Sequence, residues 1–226
     1  MSYIINIDTA VEISSVCLSF NEECVALKIS PTQKESASWI QPAIKALLSE
    51  NNISLNEIAA VGLSNGPGSY TGLRVGMATA KGLCYALKIP LITISTLKMM
   101  AVSAIHEEAD LFCPMIDARR MEVFTAIYDQ KLNEITPAHN LIIKENSFAE
   151  LLQDKRILFF GNGNVKFKQI NNQPNAVFLN IETNAKHLVS ESFSNFNTGN
   201  FTDVAYSEPF YGKEFYSLPA KPMLLK

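Results

Sequence analysis

The chain has 226 residues, a formal net charge of −3 and 47% hydrophobic residues. This length is enough to bury a substantial core in one large domain or two small ones. The slightly acidic balance excludes a generally basic protein that binds nucleic acid through its overall charge.

Apolar runs and helical periodicity predict a mixed order of elements over the first 109 residues. Three strands come first, and three helices then alternate with two further strands. A start of this kind followed by strand–helix crossovers is typical of a mixed sheet covered by helices. The predicted strands are Tyr3–Asp8, Val16–Phe20, Cys24–Ser30, Ile58–Ser64 and Leu91–Ser95, and the predicted helices are Glu35–Glu50, Thr71–Leu87 and Thr96–Ala109.

The second half restarts this pattern. "IINIDTAVEISSVCLSF" and "CPMIDARRMEVFTAIYD" both run from a strand through Ile-Asp and a short turn into another strand, with Asp8 and Asp117 in the same place. We interpret this as a duplication, with an N-terminal subdomain at 1–109 and a C-terminal subdomain at 110–226 whose tail packs back on the first. The remaining predictions are strands Phe112–Asp117, Val123–Tyr128, His139–Ile143, Ile157–Phe160 and Ala176–Leu179, and helices Ser147–Gln153 and Ala185–Ser194.

The stretch "SNGPGSYTGLRVG", residues 64–76, holds four of the ten glycines. It does not match a Walker A loop, and the G-x-G-x-x-G fingerprint fails because Gly72 comes one residue too late. Pro67 also removes a backbone donor from the loop. A phosphate cradle is therefore weakly supported.

The sequence contains no pattern that is typical of a catalytic or metal site. The three histidines lie far apart, the four cysteines form no C-x-x-C pair, and Ser69 lacks the G-x-S-x-G context of a nucleophile elbow. We predict no catalytic residue, no metal and no cofactor. No basic leader precedes an apolar run, and no run approaches roughly 18 apolar residues, so a cytosolic protein without a membrane span is expected.

Five motifs in chain order resemble the TsaB family, whose older name is YeaZ: "NIDTA", "NGPGSYTGLRVG", "ISTL", "MIDARRMEVF" and "EPFY". The resemblance implies an α/β, duplicated actin-like (ribonuclease-H-type) fold with mixed sheets flanked by helices. It also implies a non-catalytic subunit that pairs with TsaD, which transfers a threonylcarbamoyl group to the adenosine next to the tRNA anticodon. The same resemblance implies support for docking of TsaE, an ATPase, and contact with tRNA only through the complex.

Two positions depart from related patterns. Relatives often carry His-Ser or His-Thr where this chain has Glu35-Ser36, and we expect Ser36 to cap the helix there. In actin-like ATPases the first hairpin carries Asp-x-Gly-Thr, and Ala10 replaces that glycine here. The fold is therefore interpreted as a degenerate nucleotide fold, with structural roles for both hairpin aspartates favoured over binding. The weak nucleotide candidates are Asp8, Thr9, Asp117, Gly161 and Gly163.

The helix after the Gly-rich stretch is the predicted partner surface. Gly72, Gly76 and Ala80 recur every four residues, and each glycine costs a helix about 1 kcal/mol relative to Ala, which predicts a close neighbouring helix. Packing of this face inside one monomer remains the alternative. With the resemblance, we expect an interface with TsaD, or with a second copy of this chain when TsaD is absent. The predicted interface residues are Trp39, Ile40, Ala43, Ile44, Leu47, Tyr70, Gly72, Leu73, Arg74, Gly76, Met77 and Ala80.

A large residue at Gly76 is accordingly predicted to weaken TsaD binding while the monomer stays folded. Two other functions remain open: an actin-like ATPase or small-molecule kinase, and a glycoprotease-like peptidase. Tight ATP binding with turnover would favour the first of these.

Overall fold

The computed structural model describes residues 2–32 and 36–212. Its first sheet is built from the first half of the chain, and its strands are ordered β3-β2-β1-β4-β5. The β1–β2 and β2–β3 pairs are antiparallel, while β4 is parallel to both β1 and β5. The strands are β1 (Tyr3–Asp8), β2 (Ser15–Phe20), β3 (Glu23–Ile29), β4 (Ile58–Ser64) and β5 (Leu91–Ile94), and the helices are α1 (Ser36–Glu50), α2 (Tyr70–Leu87) and α3 (Thr96–Ser103).

The second sheet repeats this topology. Its order is β10-β9-β6-β7-β8, with β6–β7 and β7–β8 antiparallel and β9 parallel to both β6 and β10. When β6 is matched to β1, the strands of the two sheets follow the same order and run in the same relative directions. The strands are β6 (Leu111–Asp117), β7 (Glu122–Asp129), β8 (Glu134–Ile142), β9 (Ile157–Phe160) and β10 (Ala176–Phe178), and the helices are α4 (Ala149–Asp154), α5 (Asn164–Ile170) and α6 (Val189–Thr198).

The predicted fold class is confirmed: an α/β protein with two mixed five-stranded sheets flanked by helices, in the duplicated actin-like arrangement. Alternate strand residues bury on opposite faces of the first sheet, because side chains alternate along a strand. Val16 and Leu18 pack with α1 and α2, whereas Cys17 packs with α6.

The chain returns to the first sheet after β10. Helix α6 contacts β1, β4 and β5 of that sheet, and a 3-10 helix at Ala185–Leu188 packs beside it. Thr202 then bridges to Leu91 at the edge. Residues of the second half therefore complete the core of the first, while the division at residues 109 and 110 stays a prediction.

Several elements differ from the sequence predictions; the predicted helix Ala185–Ser194, for example, is a 3-10 helix at Ala185–Leu188 followed by α6 at Val189–Thr198. Helix α3 ends at Ser103 rather than Ala109, because the Ala104 amide already turns back to the carbonyls of Ala101 and Val102. Strand β8 starts at Glu134, five residues before the predicted start, since Pro137 is tolerated in an edge strand. Helix α5 was not predicted at all.

Candidate functional site

Asp8 ends β1 inside the protein rather than in an open cleft. It is fully buried, and its Oδ1 accepts hydrogen bonds from the Ala10 amide at 3.0 Å and the Ser64 hydroxyl at 2.5 Å. Burial raises the pKa of Asp8 to about 6, although the hydrogen bonds from Ser64 and the Ala10 amide oppose that rise. Asp8 therefore fixes its own turn and ties β1 to β4.

Thr9 follows Asp8 and lies against α2. Its hydroxyl donates to the Gly72 carbonyl at 2.7 Å. A Cβ atom on Gly72 would collide with the Thr9 carbonyl oxygen, and one on Gly76 would collide with the Thr9 hydroxyl oxygen. The glycines thus make room for a hairpin of the same chain, and our explanation of them as room for a neighbouring helix is wrong. The same collisions argue against the expectation that the monomer stays folded with a large residue at Gly76.

The second hairpin holds Asp117 in the same kind of turn. Its Oδ1 accepts from the Arg119 amide at 2.5 Å, two residues ahead, as Asp8 accepts from Ala10. Asp117 is also paired with Lys166 at 2.6 Å. Partial burial raises the pKa of Asp117, but the hydrogen bonds from Lys166 and the Arg119 amide outweigh it, and the pKa lies below its ordinary value.

Gly161 and Gly163 lie in close packing, not at an open surface. A Cβ atom on Gly161 would collide with Met100, and one on Gly163 would lie 2.9 Å from Val123 Cγ1. Between them, the Asn162 side chain accepts from the Asp117 amide at 2.8 Å and donates to Glu12 Oε1 at 3.2 Å.

The predicted nucleotide residues thus form two groups joined by the chain's own side chains. Asp8 and Thr9 are held by α2 and β4, Asp117 lies beside the 161–163 loop, and the Glu12–Asn162 hydrogen bond connects the two halves. This places a carboxylate, which repels phosphate, between the hairpins. Nucleotide binding at these residues stays a prediction.

Most of the predicted interface residues are buried in the core of the first sheet. Nine of them are buried: Ile40, Ala43, Ile44, Leu47, Gly72, Leu73, Gly76, Met77 and Ala80. Trp39 is half-buried, whereas Tyr70 and Arg74 are exposed. A partner can therefore reach Tyr70, Arg74 and the open part of Trp39, and the nine others act only as support beneath that surface.

Helix α2 has a second row of small residues that sequence reasoning missed. Ala78, Gly82 and Ala86 recur every four residues and are all exposed, and a Cβ atom on Gly82 would meet nothing within 4 Å. Tyr85, beside this row, is 84% exposed. The same four-residue spacing could have revealed this exposed row, which consists of Ala78, Gly82 and Ala86.

The chain after α6 runs along one side of α2. Lys81 Nζ donates to the carbonyls of Ala205 at 3.1 Å and Ser207 at 3.0 Å. Arg74 Nε donates to the Tyr211 hydroxyl at 3.1 Å, and the guanidinium lies 4.3 Å from the centre of the Tyr70 ring. A groove of about 400 Å³ separates this segment from the helix.

The "EPFY" motif belongs to the same segment. The Phe210 amide donates to the Asn65 carbonyl at 2.8 Å, and Glu208 and Pro209 line the groove beside α2. The motif therefore joins the end of the described chain to the Gly-rich loop.

Comparison with known proteins decides the family. The family model described as "TsaD: tRNA N6-adenosine threonylcarbamoyltransferase" matches residues 29–211. A Bacillus subtilis relative named "tRNA threonylcarbamoyladenosine biosynthesis protein TsaB" is 30% identical over 172 residues, which are 74% of this chain and 74% of that protein. The chain belongs to the TsaB proteins of this family.

Other relatives and solved structures agree with the TsaB assignment. The Escherichia coli TsaB protein is 37% identical over 133 residues, 58% of this chain and 57% of that protein. YeaZ from Pseudomonas aeruginosa has the same fold, with a TM-score of 0.78 at 23% identity over 93% of this chain and all of that one. The ADPNP-bound activator of a Clostridium difficile dehydratase shares the fold more distantly, with a TM-score of 0.52 at 8% identity over 88% of this chain and 97% of that one.

The position expected from the sequence to depart from related proteins lies at the start of α1. Ser36 is the first residue of that helix, and its hydroxyl lies 2.7 Å from the hydroxyl of Ser14. Glu35 lies outside the described residues. Ser36 thus connects α1 to the loop after β1, and its predicted capping role stays a prediction.

Within residues 2–32 and 36–212, no three His, Cys, Asp or Glu side chains are grouped so that they could hold a metal ion. Over the same residues, none of the helices combines the length and the apolar character that crossing a membrane requires.

Proposed function

We propose that this chain is a non-catalytic subunit of the machinery that makes threonylcarbamoyladenosine in tRNA. Its relatives carry the name of that pathway, and the matching family model carries the name of the transferase. In this proposal a TsaD-like subunit performs the transfer, and the present chain binds that subunit.

The observation that carries the proposal is the exposed row on α2. A row of small side chains lets a second helix come close, which increases packing between the two. Tyr70 and Tyr85 stand 43% and 84% exposed along the same helix, and aromatic side chains are enriched at the centres of protein interfaces. Both features support a helical partner on this face.

The same surface explains how the chain would behave alone. A patch of small residues on one helix can meet its own copy across a two-fold axis, because each subunit then presents the same surface. We infer a homodimer in the absence of the TsaD-like subunit, and the two partners compete for one face. Docking of a TsaE-like ATPase, contact with tRNA only through the complex and a cytosolic setting complete the proposal.

The contacts of the two hairpins weigh against the ATPase and kinase alternative. Asp8 is buried, its Oδ1 accepts from Ser64 and Ala10, and Glu12 directs a carboxylate toward the region between the halves. The peptidase alternative needs a nucleophile with a base or a metal, and the described residues offer no metal cluster.

Reconstitution with each subunit omitted in turn tests the proposal. The chain is mixed with TsaD-like and TsaE-like subunits, tRNA, ATP and a threonylcarbamoyl donor, and the modified nucleoside is measured. We expect no product when this chain is left out, and no ATP turnover by this chain alone. Full product formation without it would overturn the proposal, as would turnover by the isolated chain.

A further inference from the structure

Two cysteines lie in sulfur contact on the face of the first sheet that carries α6. The Sγ atoms of Cys17 in β2 and Cys24 in β3 are 3.2 Å apart. The two strands change register between Leu18 and Ser19, and Ser19 pairs with Cys24. This register brings Cys24 next to Cys17 on one face of the hairpin.

The two thiols differ in their access to solvent. Cys24 is exposed, whereas Cys17 is fully buried. A reagent in solution therefore reaches the sulfur of Cys24 first, and Cys17 lies behind it. This is the arrangement of an attacking thiol and a resolving thiol.

The surroundings of Cys17 favour a neutral thiol. Burial raises the pKa of Cys17, and the contact with Cys24 raises it further, while the charge of Lys186 opposes both. Lys186 is exposed on the 3-10 helix that packs on this face. Its ammonium group supplies the positive charge that stabilises a thiolate formed nearby.

We propose that Cys17 and Cys24 form a modification site, a thiol pair that closes into a disulfide when it meets a low-molecular-weight disulfide such as oxidised glutathione. The Cys24 thiolate attacks one sulfur of the reagent, a new S–S bond forms, and the first reagent thiolate leaves. Cys17 then gives its proton to solvent and attacks the Cys24 sulfur, which expels the second reagent thiolate. The protein loses two protons and two electrons, and the reagent is reduced to two thiols.

Closure requires only a small movement. The sulfurs must approach from 3.2 Å to about 2.05 Å, the length of a disulfide bond. The bond would cross-link β2 to β3 on the face opposite α1 and α2, because Cys17 packs with α6 while Val16 and Leu18 pack with α1. The exposed row is therefore undisturbed, and this inference stands independently of the proposed partner.

The test uses the full chain and oxidised glutathione. After incubation the protein is unfolded and its free thiols are alkylated. The mass of the tryptic peptide of residues 1–28, which contains both cysteines, is then measured by mass spectrometry. We expect this peptide to lose two hydrogen atoms and carry no alkyl group, and to take up two alkyl groups after reduction. Cys84 and Cys113, which lie in other peptides and are buried, should be alkylated in full.

Variants separate the pair from a single reactive thiol. Cys17→Ser should stop at glutathione attached to Cys24, while Cys84→Ser should behave as the unchanged chain does. The proposal is overturned if the unchanged chain also stops at the glutathione adduct, or if both cysteines stay free. Because the unchanged chain alone decides between these results, the test holds even if Cys17→Ser does not fold.

Discussion

The Thr9 hydroxyl donates to the Gly72 carbonyl at 2.7 Å, across 63 residues of sequence. This bond holds the first hairpin against the start of α2. The hairpin leaves no space there for a side chain on Gly72 or Gly76. The face of α2 that carries Gly72 and Gly76 therefore packs against the chain's own core. The exposed row on the opposite side of α2 is open to a partner.

Substitution at Gly76 should destabilise the folded chain. A leucine there meets the Thr9 hydroxyl and Leu63, and overpacking of this kind costs about 1–3 kcal/mol of unfolding free energy. Gly82→Ala is the matched control, because its Cβ atom meets nothing and an exposed helical alanine gains about 1 kcal/mol over glycine. Urea unfolding measures both. Equal stability of Gly76→Leu and the unchanged chain would contradict this account.

The sequence predicts the strands better than the site. β1, β4 and β9 match their predicted bounds because each is a short apolar run bounded by polar or turn residues. Helix α5 has only seven residues, among them four polar side chains beside its apolar ones, so its periodicity is too short to detect.

The prediction of which face of α2 binds a partner failed for a different reason. Residues spaced by four predict two small-residue rows equally, one through Gly72 and Gly76 and one through Ala78 and Gly82. Which row faces the sheet depends on Thr9, far away in sequence, so only tertiary structure can decide it.

Asp8 should give stability a distinct pH dependence. Its folded pKa is about 6 against an ordinary value of 3.8, so folding favours the protonated carboxyl. That contribution is complete below pH 3.8 and is lost as pH rises through 6; at 1.36 kcal/mol for each pKa unit it amounts to about 3 kcal/mol.

The Asp8→Asn variant cannot titrate and should lack this fall in stability. Unfolding free energies measured from pH 4 to pH 8 for the variant and the unchanged chain give the comparison, since all other groups titrate in both. Parallel curves over that interval would show that Asp8 has an ordinary pKa.

The Asp117–Lys166 pair should affect titration more than stability. Lys166→Met should raise the pKa of Asp117, because the hydrogen bond from Lys166 lowers it in the unchanged chain. The unfolding free energy should change by less than about 1 kcal/mol, as is usual for exposed ion pairs. Carboxyl chemical shifts followed by NMR measure the pKa, with Lys168→Met on the same helix as the control. An unchanged pKa would rule out this role for Lys166.

The segment of residues 201–212 should loosen when Lys81 is changed. Lys81→Met removes two charged hydrogen bonds to the carbonyls of Ala205 and Ser207, each contributing about 1.5 kcal/mol, so the amides of Ser207 and Phe210 should exchange roughly a hundredfold faster. Hydrogen exchange followed by NMR provides the measurement. Lys45→Met, on the exposed side of α1, is the control and should leave both amides protected.

Binding of the TsaD-like subunit by Gly82→Trp tests the central claim most directly. Gly82 lies in the middle of the exposed row with open space around it, so the variant should fold normally while its indole blocks the close approach of another helix. Val165→Trp, at an exposed position on α5, is the matched control. Calorimetry should show affinity for the TsaD-like subunit reduced by about tenfold or more for Gly82→Trp and unchanged for Val165→Trp. A dissociation constant for Gly82→Trp equal to that of the unchanged chain would contradict the account.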